Sequence, residues 1–117
     1  MSQQEQWQVA GNASEVYDQY LVPAVFEPWA KMLTDVAKLQ PGETVLDVAC
    51  GTGVVARHAA HQVGASGHVT DLDLNPGMLA VASSHAASPE SAPITWQEGN
   101  ATALPFPAPA FDVVLCQ

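Results

Sequence analysis

Apolar and polar positions follow two rhythms along the chain. Val25, Trp29, Met32, Leu33, Val36 and Leu39 recur at intervals of three and four, which predicts a helix over 24–38 with those residues, Trp29 among them, turned to the core. A shorter helix precedes it from Asn12 or Ser14, with a small polar cap residue and Glu15 in the first turn. Pro23 is expected to interrupt the two. The turn LQPGE (39–43) follows. Short apolar runs then take over. TVLDVA (44–49) reads as a buried strand, GVVARHAAHQV (53–63) as a helix stopped by GASG, and HVTDLDL (68–74) as a second strand. In NPGMLAVASSHAA (75–87) Asn75 caps a helix and Pro76 takes its first position. After the turn-rich SPESAP come a third strand, ITWQEG (94–99), a proline-rich loop, ALPFPAPA, and a fourth strand, FDVVLCQ (111–117).

Helices followed by β-α-β-α-β-loop-β make this an α/β chain, with a parallel sheet, right-handed crossovers and helices on its faces. It is read as one domain: a loose terminus over 1–12, N-terminal helices over 13–39 and a β-α-β-α-β-β core over 44–117. Ligands of such sheets sit beyond the carboxyl ends of the strands. Gly51, Asp73, Asn100 and Gln117 would all arrive at that edge.

Composition narrows the ligand. The chain is 48% hydrophobic and 13% charged, enough apolar material for a core. Three Lys and Arg stand against twelve Asp and Glu, a formal charge of −9. Lys31, Lys38 and Arg57 cannot form the clustered basic patch that nucleic acid or an anionic membrane surface requires. A neutral or cationic small molecule fits better. No basic leader opens the chain and no apolar run approaches the roughly 18–20 residues of a membrane span, so a cytoplasmic protein is expected. Cys50 and Cys116 each close an apolar run and read as free buried thiols rather than a disulfide.

The candidate chemistry lies in VLDVACGTGVVAR (45–57). Cys50-Gly51-Thr52-Gly53-Val54-Val55-Ala56 is like the dinucleotide-binding G-x-G-x-x-G with a small residue in the third glycine's place, and alone it is equally a strand-to-helix turn without a ligand. Asp47, four residues before the first glycine, has the wrong sign for a pyrophosphate and the right one for an ammonium beside a positive sulfur. It would also serve by accepting backbone N–H bonds that shape the turn. Asp73, twenty residues after Gly53, ends the second strand where a carboxylate accepts both hydroxyls of a ribose. Asp71 reads as the solvated or structural acid. Leu74 and Met78 either flank an adenine or join the core.

Asp47 to Gly53, Asp73 with NPGML, and EGNATALPFPAPAFDVVL (98–115) together resemble the successive motifs of class I S-adenosylmethionine-dependent methyltransferases. The likeness is greatest to the ubiquinone/menaquinone-biosynthesis group called methyltransferase type 11, and covers 13–117. The resemblance implies a Rossmann-like sheet ordered 3-2-1-4 over these strands, with the family's later strands and much of its acceptor pocket beyond the fourth. It implies S-adenosyl-L-methionine as cofactor, S-adenosyl-L-homocysteine as product, and methyl transfer to a small molecule. The alternatives are a non-catalytic module binding either nucleoside, or an NAD-type domain. By the resemblance Asp47 serves the methionyl ammonium, Ala49, Cys50, Gly51, Thr52 and Gly53 line the methionyl and ribose portions, and Asp73 takes the ribose. Asn100 and Ala101 stand where the family commonly has Asp-Ala beside the adenine, and the amide oxygen of Asn100 still accepts the bond. Gln117 falls near the reactive end. Tyr17 or Tyr20 would close a lid or, as the plainer reading, act as core aromatics. No catalytic base is named.

Two readings concern what is not a site. His58 and His61 lie three apart on one helix without an evident third ligand, which makes a solvated face rather than a metal site. Trp7 belongs to the loose terminus and Trp96 to a strand. The apolar fourth strand at an open edge is expected to pair with that of a second copy in a homodimer.

Overall fold

The computed structural model describes residues 12–49, 51–103, 105–106 and 110–117. The readings made for 1–11, for Cys50 and for part of the proline-rich loop lie outside the described residues. Helix α1 (Ala13–Val16) passes directly into a π-helical segment (Tyr17–Phe26) and then into α2 (Glu27–Ala37). Strand β1 (Thr44–Val48), helix α3 (Val54–Val63), strand β2 (His68–Asp73), helix α4 (Pro76–Ser84), and strands β3 (Ile94–Glu98) and β4 (Val113–Cys116) follow.

The expected interruption at Pro23 does not occur. The residue sits inside the π-helical segment. Proline lacks an N–H and its ring crowds the carbonyl four residues back; π-type bonds run to the fifth residue back and do not call on that carbonyl, while the missing donor is simply forgone.

All strand pairs are parallel and the order is β3-β2-β1-β4, as the resemblance implied. Register pairs Asp47 with Asp71 and with Leu115, and Asp71 with Trp96. Because strand side chains alternate between faces, each sheet face has its own apolar cluster. Val45, Val69, Val113 and Leu115 join Val54, Val55, Ala59 and Val63 of α3 on one side. Leu46, Val48 and Leu72 take the other, against Phe106 and Phe111, whose rings meet edge to face at 5.1 Å. At the amino end of the sheet Asp112 accepts from the Thr44 N–H and hydroxyl at 2.8 and 3.0 Å, which seats β4 beside β1.

Helix α2 corrects the periodicity reading. Its large apolar residues Trp29, Met32 and Val36 face outward, with Trp29 60% and Val36 72% exposed, and Val25 of the π-helical segment is exposed too. The face turned inward carries Ala30 and Thr34, both fully buried, with Leu33 and Ala37 at its sides. Small side chains let α2 approach α3, and Thr34 accepts from Gln62 of α3 at 3.1 Å; an indole has no room in that contact. Three further expectations change with burial. Tyr20 is 68% exposed and is not a core aromatic. Asp71 is fully buried, hence structural and not solvated. Cys116 is a free but exposed thiol, because β4 buries Leu115 and its alternate residues Val114 and Cys116 fall on a face that the described residues leave uncovered.

Candidate functional site

The chain between β1 and α3 turns through a run of left-handed backbone. Ala49, Gly51 and Gly53 have φ of 56, 57 and 84°. A side chain at Ala49 tolerates this region poorly, and the two glycines without cost. Gly53 caps α3 with no side chain, and Trp96 shows why none fits. A Cβ on Gly53 would stand 2.8 Å from the Trp96 ring, too close to fit, whereas one on Gly51 would make only an ordinary contact with the Tyr17 hydroxyl at 3.5 Å and is disfavoured by its backbone alone. The Arg57 guanidinium donates to the Thr52 carbonyl at 2.5 Å and holds the turn from the helix side.

Asp47 and Asp73 meet this turn from adjoining strands. Asp73 accepts the Gly51 N–H with one oxygen and the Asn75 N–H with the other, both at 2.8 Å. Asn75 in turn caps α4 by accepting from Gly77 at 3.0 Å, as the sequence predicts. Asp47 is 1% exposed and accepts from the Ala56 backbone in the first turn of α3, so it does shape the turn. Its Oδ2 is buried without a hydrogen-bond partner among the described residues. Burial first, and then the charge of Asp73, push the Asp47 carboxyl up to about 8; the Ala56 bond pulls weakly the other way. An orphaned carboxylate oxygen beside a second carboxylate, at the mouth of a turn stripped of side chains, is a cradle for a cation. A pyrophosphate in that place would face the charge of Asp73 and hold the proton on Asp47, whereas a cation would displace it. The residues fit the expected sulfonium nucleoside.

The remaining candidates are placed around that centre. Thr52 is buried and its hydroxyl has no partner among the described residues. Leu74 and Met78 are half-buried and belong to neither apolar cluster. Ala49, Asn100 and Ala101 are exposed. The Asn100 amide oxygen accepts from the Thr102 N–H at 2.9 Å and its hydroxyl at 2.8 Å, so the loop is folded on that side chain. Gln117 donates to the Phe26 carbonyl at 3.1 Å and joins the end of β4 to the π-helical segment.

Sequence reasoning missed Trp96 and Arg57 as neighbours of the turn. Trp96 gave no signal, because only the β2–β3 register carries it across two strands to Gly53. Arg57 gave one: a guanidinium, one of three Lys and Arg in the chain, within an otherwise apolar helix start. Tyr17 is half-buried, rests on Phe26 at 5.3 Å between ring centres, and lies over Gly51, so it both packs and covers. His58 bonds Glu27 of α2 at 2.6 Å, a helix tie rather than a ligand, and no cluster of metal-ligating side chains occurs among the described residues.

The family described as "Methyltransferase domain" matches residues 45–117. The demethylmenaquinone methyltransferase of Symbiobacterium thermophilum is 41% identical over 105 residues, which cover 86% of this chain and 42% of that protein. The 2-phytyl-1,4-naphtoquinone methyltransferase of Synechococcus elongatus is 40% identical over 85 residues, 72% of this chain and 36% of that one. Among solved structures, YcgJ from Bacillus subtilis superposes with a TM-score of 0.65 at 28% identity, over 75% of this chain and 36% of its own. The arsenic(III) S-adenosylmethionine methyltransferase of Chlamydomonas reinhardtii does so with 0.59 at 31%, over 67% and 29%. The chain thus spans about two fifths of the length of the curated relatives it matches.

Proposed function

This chain belongs to the class I S-adenosylmethionine-dependent methyltransferases, and on that premise we propose that its carboxylate edge binds S-adenosyl-L-methionine as the cofactor half of an enzyme methylating a small molecule. The observation that carries the reading is the buried, partnerless Oδ2 of Asp47 beside the Asp73 carboxylate, an arrangement whose repulsion a cationic ligand relieves. In this reading Asp47 accepts the methionyl ammonium. The second lone pairs of the Asp73 oxygens accept the two ribose hydroxyls. Gly51 and Gly53 let the backbone approach, while Leu74, Met78, Asn100 and Ala101 enclose the adenine. The bound sulfonium supplies an electrophilic methyl carbon; these residues hold its position and Tyr17 keeps water from the methionyl end. The names of the relatives favour a naphthoquinone-like acceptor.

The reading extends to a cytoplasmic protein that works without nucleic acid or membrane. Its charge of −9 supports this, as does the lack of any described helix long and apolar enough to cross a bilayer. A homodimer joined through β4 is supported by that strand's place at the sheet edge and by the 58% exposure of Val114. Sedimentation decides it: a monodisperse monomer removes the dimer.

Calorimetric titration with S-adenosylhomocysteine and with NAD tests the main proposal. Saturable binding of the first and none of the second is expected. Binding of NAD, or a diphosphate lying across 50–53 in a crystal, overturns it.

A further inference from the structure

Of the eight large apolar side chains exposed among the described residues, seven lie on the N-terminal helical run. Val16, Leu21, Val25, Trp29, Met32 and Val36 follow one another at steps of five, four, four, three and four residues, and Tyr20 flanks Leu21. Each step is about one turn. The long step falls at the start of the π-helical segment, whose bonds reach the fifth residue rather than the fourth. The change of pitch around Pro23 therefore keeps the line unbroken from α1 into α2. The opposite face carries the buried Val22, Ala30 and Thr34 and is the one spent on the core.

The outer face has the size of an interface. Exposures of 44–72% leave on the order of 700 Å² of these side chains in water, more than one patch of a monomer ordinarily shows and close to the roughly 800 Å² that each partner of a stable pair buries. It carries a projection and a recess. Trp29 stands out from the helix, and next to it Pro28, Met32 and Val36 line a shallow cavity of about 400 Å³ walled by the Lys31–Asp35 ion pair. Charge argues for what covers it. Glu27 and Asp35 balance Lys31 and Lys38 over 19–38, so the whole formal charge of −9 lies outside that span. Copies of so acidic a protein repel one another over the rest of their surface, and a basic partner is drawn there instead. The neutral stripe is where like copies approach at least cost. A lipid surface fits less well, because helices that lie on membranes carry an excess of Lys and Arg on the polar face.

We propose that this stripe is the contact face for a second copy of the chain, packed antiparallel about a two-fold axis level with Met32. A symmetric contact uses the same patch twice, so the projection of each copy must meet the recess of the other. With the axis at Met32, Trp29 of one copy falls opposite Val36 of the partner subunit, in the recess, and Glu27 falls opposite Lys38 of the partner subunit. The contact is separate from the edge pairing proposed for β4 and depends neither on it nor on the nucleoside reading. Because the copies separate on dilution, Trp29 remains a surface residue of the monomer, and its loss tells on association rather than on folding.

Sedimentation equilibrium from about 1 to about 200 µM, the range of micromolar pairs, tests it. The parent is Val114→Lys, whose added charge disfavours pairing along β4. It is expected still to form pairs in that range. Val36→Glu, which sets a carboxylate in the recess, should leave only monomer, and Trp29→Ala should weaken pairing by about thirtyfold, the effect of a central aromatic anchor. Both should keep the parent's circular dichroism, and its unfolding temperature at about 1 µM, where the copies are apart. Ser83→Glu, at an exposed position of α4, should leave pairing as it was. A parent that stays monomeric throughout overturns the proposal; if the unsubstituted chain pairs under the same conditions, its contact belongs to β4. Pairing that survives Val36→Glu overturns it as well. So does flotation of the protein with phosphatidylcholine vesicles that Trp29→Ala abolishes, which would make the stripe a lipid-binding face.

Discussion

The Asp73 carboxylate holds the Gly51 N–H at 2.8 Å and at the same time raises the proton affinity of Asp47, so one acid builds the turn and helps keep a proton on its neighbour. Repulsion between like groups is ordinarily avoided in a core. It persists here because each carboxylate is fixed by backbone donors that neither can abandon without unwinding the start of α3 or α4.

Asp73→Ala removes a ribose acceptor pair and a turn fastener together. The affinity for S-adenosylhomocysteine should fall by on the order of 2 kcal/mol. Calorimetry of Asp73→Ala beside Asp73→Asn, which keeps an acceptor for Gly51, separates the two roles. An affinity unchanged in both would mean that another acid takes the ribose.

Asp47→Asn discriminates among ligands. Binding of S-adenosylhomocysteine, which carries the amino acid, should weaken by about tenfold or more, the worth of a charge-assisted bond, while adenosine binding stays level. Equal losses for both would reduce Asp47 to a turn former.

The raised carboxyl of Asp47 has a pH signature. The unfolded chain ionises it near the ordinary value of 3.8 and the folded one near 8, so the folded state holds the extra proton between those values. This group's contribution to stability is therefore full at low pH and is lost as pH rises toward 8. Thermal unfolding of the free protein between pH 5 and pH 8 should reveal that decline, and Asp47→Asn should flatten it. A cationic ligand displaces the proton. S-adenosylhomocysteine affinity should thus rise with pH, by up to about tenfold per unit, and level off near 8. Calorimetry in buffers of different ionisation enthalpy should detect proton release below that point.

Gly53→Ala tests the turn against the strand register. The added methyl meets the Trp96 ring at 2.8 Å on a backbone with φ of 84°, and a loss of about 1–3 kcal/mol is expected in chemical denaturation. Trp96→Ala in the same background should recover the steric part and leave the backbone part. Additive effects would deny the contact.

Trp29→Ala tests the face of α2. A 60% exposed indole should cost no more than about 0.5 kcal/mol. A loss of several kcal/mol would return Trp29 to the core.

Much of this protein was written in its local chemistry. Asn75 before Pro76, GASG after Val63 and the short apolar runs placed the strands and the start of each core helix to within a residue or two, because caps, turns and strand alternation act over a few neighbouring residues; α4, however, ends at Ser84, short of the 87 expected. Gly51, Gly53, Asp47 and Asp73 could be singled out for a similar reason: a β-α turn and a strand end lie at the same edge in any parallel sheet.

Contacts between elements were settled only in three dimensions. Both faces of α2 are apolar enough to be buried, and the choice fell to the one whose small residues let α3 approach, which put Trp29 outside. Pro23 was absorbed by a change of helix pitch rather than by a break. Trp96 reached Gly53, and Arg57 joined His85 around one cavity, through strand register and helix spacing. Backbone preferences and the period of a strand are properties of neighbours along a chain. Register, proximity and the field of one acid on another are properties of packing, and only the folded sheet brings those groups within reach.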